Sequence, residues 1–301
     1  MISVENKKLN LKRENVSCAL CGGDHTAVLF RTRGTQLTGV WANGVRYELD
    51  SAESIVMCKT CGLVYVDPQP VLGPGLAAYS VEQQEAYFEG TRQIRLWAYR
   101  NLVHQIPGWL GRDPHTLLDI GCGDGVLVEV ARQAGIYSVG TEIDDHIVRL
   151  VRERLGQDTV VTVDLAELPQ AHYDVIALIN VLEHVPNPKE MLKASAHLLK
   201  PDGIVLVHTL NFGGLPAKLG GAKWHQIEPL EHLYYFTGRT LRALMRKAGL
   251  EPLDRFSLIA SKRLRGRLQY YLGKIGIYVD SGLGLVARHA LKGEHGAALT
   301  G

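Results

Sequence analysis

The stretch His115 to Gly125, HTLLDIGCGDG, limits the folds open to this chain more than any other. Thr116 to Ile120 is a short apolar run bounded by Pro114 and Gly121, the pattern of a parallel strand buried on both faces. Glycines follow at alternate positions, Gly121, Gly123 and Gly125, and from Val126 to Gln133 the apolar residues Val126, Leu127, Val130 and Ala131 share one helical face. Strand, glycine turn and helix open a βαβ unit, and open α/β sheets bind ligands at such strand carboxyl ends. The spacing is GxGxG, where a dinucleotide turn has GxGxxG. Asp119, one residue back from the first glycine, would repel a pyrophosphate.

The following segments keep the same rhythm. Ile136 to Gly140 reads as a second strand running into Thr141-Glu142-Ile143-Asp144. Glu142 stands about 20 residues beyond the glycines, where a βαβ unit places a carboxylate for two ribose hydroxyls. Asp144 or Asp145 then caps a helix to Leu155. Thr159 to Val163 is a third strand, ending in Asp164-Leu165. Tyr173 to Asn180 is the fourth, leaving through Val181-Leu182-Glu183-His184-Val185. Asn187-Pro188-Lys189-Glu190 opens a helix with a cap, a first-turn proline and an acid. Leu198 to Gly203 turns into a fifth strand, Ile204 to His208.

Taken in order, LDIGCGDG, the acids Glu142 and Asp164, Asp174 with its apolar run and VLEHV, and LLKPDG resemble the motifs of class I S-adenosylmethionine (SAM) methyltransferases. The resemblance implies an α/β, Rossmann-like fold on a seven-stranded sheet. Its last two strands form an antiparallel pair, placed here at Glu251 to Ile259 and Leu283 to Arg288. It also implies a cofactor site. Asp119 takes the amino group, Gly121 and Gly123 allow close approach, Glu142 takes the ribose and Asp164 the adenine amino group. Ile143, Leu165 and Asn180 complete that set, and Tyr79 and Tyr87 roof the pocket from helices before the first strand.

Four of the five cysteines form two pairs, Cys18-Ala19-Leu20-Cys21 and Cys58-Lys59-Thr60-Cys61, each followed by glycine. Glycine permits the positive φ that lets two sulfurs face one point. Four thiolates make the closed set of a structural zinc site, and reduced thiols suit the cytoplasm better than disulfides do. Ser54 to Met57 and Leu63 to Val66 flank the second pair as a hairpin, and Trp41 to Leu49, turning at Asn43-Gly44, adds another. A zinc ribbon over 14–68 is therefore expected, stabilised by metal where its core is too small. A proline- and glycine-rich stretch then leads to a methyltransferase domain over 76–301. Helices occupy 76–113 (Leu76 to Phe88 and Thr91 to Ile106), and a helical insertion occupies 262–278, between the last two strands.

Lys+Arg at 33 against Asp+Glu at 31 does not call for nucleic acid. With no apolar run near membrane-spanning length and no signal-peptide core, a soluble cytoplasmic protein is expected. The basic, leucine-rich 262–278 segment reads as an amphipathic helix, with weak membrane-surface contact as the alternative. Asn211 to Leu230 is glycine-rich and without period, and runs into a polar-aromatic cluster ending Glu231-His232-Leu233-Tyr234-Tyr235. Deoxysugar C-methyltransferases and related small-molecule methyltransferases with the same CxxC pairs carry a similar Glu-His before an aromatic pair. The resemblance implies a biosynthetic enzyme that methylates a hydroxyl or activated carbon of a small molecule. His232 is the expected general base, Glu231 orients its other nitrogen, and His184 is the second candidate. The sequence stops at Gly301, where the sugar enzymes continue into a further domain, a departure that leaves their specific substrate open; the sequence names neither the acceptor nor the oligomeric state. The alternatives are a zinc-ribbon nucleic-acid or protein methyltransferase and a silent SAM-binding module. The first lacks an Asn/Asp-Pro-Pro-Tyr signature after strand four.

Overall fold

The computed structural model describes residues 7–8, 11–32, 39–42, 45–48, 53–71, 79–256, 258 and 282–290. The insertion expected at 262–278, the turn at Asn43-Gly44 and residues 76–78 lie outside them. Seven strands form one mixed sheet: β1 (Thr116–Ile120), β2 (Tyr137–Thr141), β3 (Val160–Val161), β4 (Tyr173–Ile179), β5 (Leu199–Thr209), β6 (Leu250–Phe256) and β7 (Leu283–His289). Their order is β3-β2-β1-β4-β5-β7-β6. The first five run parallel, and β7 lies antiparallel to both β5 and β6.

Helices cover both faces: α1 (Val81–Leu110), α2 (Val126–Gln133), α3 (Asp145–Leu155), α4 (Pro188–Leu198), the short α5 (Leu215–Gly220) and α6 (Gly238–Lys247). Strand parity decides which core each side chain joins. Leu117, Val175 and Ala177 pack with Leu102 and Ile106 of α1 and Leu127 of α2. Leu118, Ile176 and Leu178 pack on the opposite face with Leu192 of α4 and Leu244 of α6. Every residue of β4 is buried, which is why it reads as continuously apolar.

Several boundaries differ from the sequence reading. The two helices expected on either side of Gly90 are one, held by a Ser80–Gln83 capping box and a left-handed Gly111. A lone interior glycine costs about 1 kcal/mol. Burial of Leu96, Leu102, Val103 and Ile106, at about 1.5–3 kcal/mol each, outweighs it. β3 pairs only through Val160 and Val161, because beyond them the edge of the sheet is exposed. β5 starts at Leu199. Asn187 makes no side-chain cap bond. Asn211 to Leu230 contains α5 and a short 3-10 helix, Gly221–Lys223.

A second, four-stranded sheet lies alongside, in the order Tyr234–Tyr235, Val64–Val66, Ser54–Cys58, Thr26–Arg31. The extra hairpin pairs Gly39–Ala42 with Val45–Glu48. Among the described residues no helix is long and apolar enough to cross a membrane.

One buried carboxylate ties the sheet's entry edge together. Asp174 Oδ1 accepts from Arg112 at 2.6 Å and Lys200 at 3.0 Å, and Oδ2 accepts from the backbone N–H of His115 at 2.8 Å and Thr116 at 2.9 Å. Burial opposes its charge, yet these donors hold its pKa well below the ordinary carboxylate range. A depressed folded-state pKa stabilises above about pH 4, and that stabilisation is lost as pH falls further. Asp174→Asn should therefore lower stability by about 3 kcal/mol at neutral pH. It should also flatten the acid limb of the stability curve; denaturant unfolding at pH 7 and pH 3 checks both.

Candidate functional site

The turn after β1 is shaped by what it touches. Gly121 has φ 65°, and a Cβ there would meet Val181 Cγ2 at 2.8 Å. Gly123 lies under the Phe88 ring, 3.3 Å from where its Cβ would stand. α1 is held onto this turn by Arg95, which forks onto the Asp124 carboxylate and also donates to the Phe88 carbonyl at 2.9 Å. The Arg95 guanidinium sits over the Phe88 ring.

Glu142, at the end of β2, faces the turn. One oxygen accepts from Gly123 N–H at 3.0 Å, the other from Ile143 N–H at 2.7 Å and Asp144 N–H at 3.1 Å. Asp119 is 3% exposed. Burial, with Glu142 and then Asp124 adding like charge, pushes its pKa up to about 8. Ile143 is 92% exposed, an apolar side chain open to solvent beside the carboxylates. Asp164 is exposed and caps the short 3-10 helix beginning at Leu165, which is half-buried. The two tyrosines expected as a roof part company. Tyr79 donates its hydroxyl to Glu228 at 3.1 Å, and Tyr87 is 57% exposed beside Phe88. Phe88, read from the sequence only as a packing aromatic of the first helix, meets the glycine turn.

Asn180 leaves β4 with φ 56°. Its Oδ1 accepts from Nδ1–H of His208, at the end of β5, at 2.9 Å. Burial lowers the His208 pKa to about 4, so the ring is neutral and fixes which way the amide points.

Beyond Asn180, two imidazoles and a carboxylate converge. His184 Nδ1 donates to the Glu231 carbonyl at 3.0 Å, and His232 Nδ1 donates to the Gln226 carbonyl at 2.9 Å. The Gln226 carbonyl thus takes the nitrogen that the sequence reading assigned to Glu231. The ring centroids are 4.9 Å apart, and a ligand atom from each of His184, Glu231 and His232 lies within 4.8 Å of the others. With both Nδ1 protonated, each ring keeps a bare Nε2 lone pair. Burial, then His184, lowers the His232 pKa to about 3. The surrounding protein depresses His184 as well, less firmly because its edge is exposed. Burial, then Glu228, raises Glu231 to about 7.

Glu183 had no role in the sequence reading. It is fully buried, accepts from Thr209 Oγ1 at 2.8 Å, and burial raises its pKa to about 7. An acid inside an otherwise apolar strand exit was the available signal.

The four paired cysteines also meet. Cys18 and Cys61 Sγ are 3.4 Å apart, as are Cys21 and Cys58 Sγ, and all four sulfurs lie within 4.8 Å of one another. A tetrahedron with bonds of about 2.3 Å has edges of about 3.8 Å, so the set fits zinc. Gly22 and Gly62 take the expected positive φ, 77° and 80°.

Comparison with known proteins gives the family and the fold. The methyltransferase domain profile matches residues 90–254. A ubiquinone biosynthesis O-methyltransferase from Neisseria meningitidis serogroup C is 29% identical over 159 residues, covering 46% of this chain and 64% of that protein. The one from Bordetella avium is 33% identical over 150 residues, covering 45% and 62%. The chain thus matches less than two thirds of the length of these relatives. A crystal structure of a SAM dependent methyltransferase from Archaeoglobus fulgidus superposes with TM-score 0.50 at 19% identity, over 69% of this chain and 99% of that one, a likeness of fold. With more than half of its residues matched, the chain belongs to the methyltransferase domain family.

Proposed function

We propose that this chain transfers a methyl group from SAM to a hydroxyl or activated carbon of a small-molecule acceptor. The observation that carries the reading is one contact, Gly121 against Val181. It sets the carboxylate-lined turn of Asp119 and Glu142 beside the strand exit that bears Asn180 and His184. An α-ammonium would pair with Asp119 and ribose hydroxyls with Glu142, while Ile143, Asp164 and Leu165 flank the base. The sulfonium supplies an activated methyl; the protein aligns the acceptor and removes its proton. Alignment is worth roughly 7–11 kcal/mol and a placed base about 10²–10⁴-fold.

Pairing with an ammonium requires Asp119 to be ionised, although its pKa in the free site is about 8. Binding below that pH releases a proton, so affinity should rise by up to about tenfold per unit from pH 6 towards pH 8. Above pH 8 it should fall as the ligand's own amino group deprotonates. Calorimetric titration of SAM checks this. Asp119→Asn should bind weakly and without that pH limb, and a flat wild-type profile would count against the assignment.

His232 is read as the base, taking the acceptor proton on Nε2. Burial opposes the resulting imidazolium, and the Glu228 and Glu231 carboxylates offset it when ionised. His232 is neutral above about pH 3, so the rising limb of activity should follow Glu231 near pH 7. His232→Ala should keep SAM affinity and lose about two to four decades in kcat. Glu231→Gln should lose less and flatten the limb near pH 7. Initial rates from pH 5.5 to 9 decide, and near-normal turnover by folded His232→Ala would move the role to His184.

Residues 14–68 are read as a zinc ribbon and 76–301 as the transferase domain. Elemental analysis of protein purified without added metal should find about one zinc per chain. Cobalt substitution should show thiolate-to-metal absorption. Less than about a third of an equivalent in folded protein would count against the zinc site.

A further inference from the structure

The edge of the ribbon sheet is not ribbon sequence. Its fourth strand is Tyr234–Tyr235, which pairs antiparallel with Val64–Val66 in the register Tyr234↔Tyr65 and Tyr235↔Val64. Two residues upstream of that strand is His232. Leu233 lies between them with its peptide groups engaged on opposite sides. Its N–H donates to the Glu183 carbonyl at 2.7 Å, and its carbonyl accepts from Val66 N–H at 2.9 Å. Tyr234 adds an N–H to Glu183 at 3.2 Å and a hydroxyl to the Pro186 carbonyl at 2.8 Å.

A two-residue strand has no stability of its own; its place comes from the hairpin it joins. That hairpin, Ser54–Cys58 with Val64–Val66, carries Cys58 and Cys61 at its tip. Cys58 N–H bonds the Leu63 carbonyl at 2.9 Å and Gly62 N–H bonds the Cys58 carbonyl at 2.8 Å. Behind the strands, Leu63 and Tyr65 share a core with Leu182, Leu233 and Tyr234. Register is exacting here. Tyr234 belongs to that core while Tyr235 belongs to the opposite one, with Trp224 and Leu210. A slip of one residue would exchange the two faces and turn His232 with them.

We infer that the cysteine-held hairpin is a positioning element of the acceptor site: closing the four thiolates on a metal fixes Val64–Val66, which fixes Leu233–Tyr235 and thereby the placement of Glu231 and His232. It rests on reading those two residues as acceptor-side groups. A metal that merely supported its own module would leave that segment alone.

Hydrogen exchange on the full-length protein, with metal and after its removal by a chelator, tests this without needing the reaction. Removal should speed exchange of the Leu233 and Tyr234 amides by about tenfold or more. The Cys122 and Gly123 amides, bonded to Thr141 and Glu142, should change by less than about twofold. SAM affinity should hold while kcat falls about tenfold or more, and zinc should restore both exchange and rate. Val66→Pro, which deletes the N–H bonded to Leu233, should reproduce the loss while keeping its metal. Unchanged Leu233 and Tyr234 exchange in the metal-free protein would overturn the inference. So would uniform acceleration along the chain, which would make the metal a support of the whole fold. Absence of methyl transfer to any acceptor would sink the proposed function, yet the exchange pattern would still decide this point.

Discussion

The close approach of Gly121 to Val181 is the contact on which the site depends. It brings the turn after β1 against the exit of β4, two central parallel strands that are paired from Leu117↔Val175 to Ile120↔Leu178. Asp119 comes from the end of one strand and His184 from the exit of the next, while Glu142 follows β2 and His232 arrives from the segment before α6. Any side chain larger than hydrogen at 121 would push those ends apart. The apolar length of β4 sets the depth, and the Asp174 staple at the opposite edge anchors where both strands begin. Chemistry at the carboxyl edge therefore inherits its geometry from burial elsewhere.

Desolvation then gives the site its electrostatic character. Burial raises Asp119, Glu183 and Glu231 and lowers His208 and His232. These acids are pushed towards their neutral forms and these two imidazoles are held neutral, each by exclusion of water. A cationic ligand against Asp119 would reverse that bias.

The N-terminal module is joined to the larger sheet more closely than a ribbon tethered by a linker. Cys18, Leu20, Cys58 and Tyr65 share one hydrophobic cluster with Leu118, Leu182 and Phe236, and the segment carrying the candidate base completes the module's sheet. The 14–68 and 76–301 division read from composition remains a proposal about folding units. At the level of contacts, the Glu231–His232 segment belongs to both.

Local sequence determined the elements whose signal is short-range. The ends of β1, α2 and α3, the glycine turn with Glu142 facing it and the paired cysteines follow from period, glycine placement and residue chemistry within a few positions. Relations between distant segments were decided by tertiary structure. Continuity of α1 through Gly90 came from packing, because buried side chains outweighed the glycine penalty. The short β3 came from its edge position. Phe88 reached the glycine turn because Arg95 anchors α1 there. Gln226 became the partner of His232, and Tyr234–Tyr235 the fourth strand of the cysteine sheet, through backbone hydrogen bonds. Backbone groups are the same at every residue, so a sequence carries no mark of which distant carbonyl a given N–H will find.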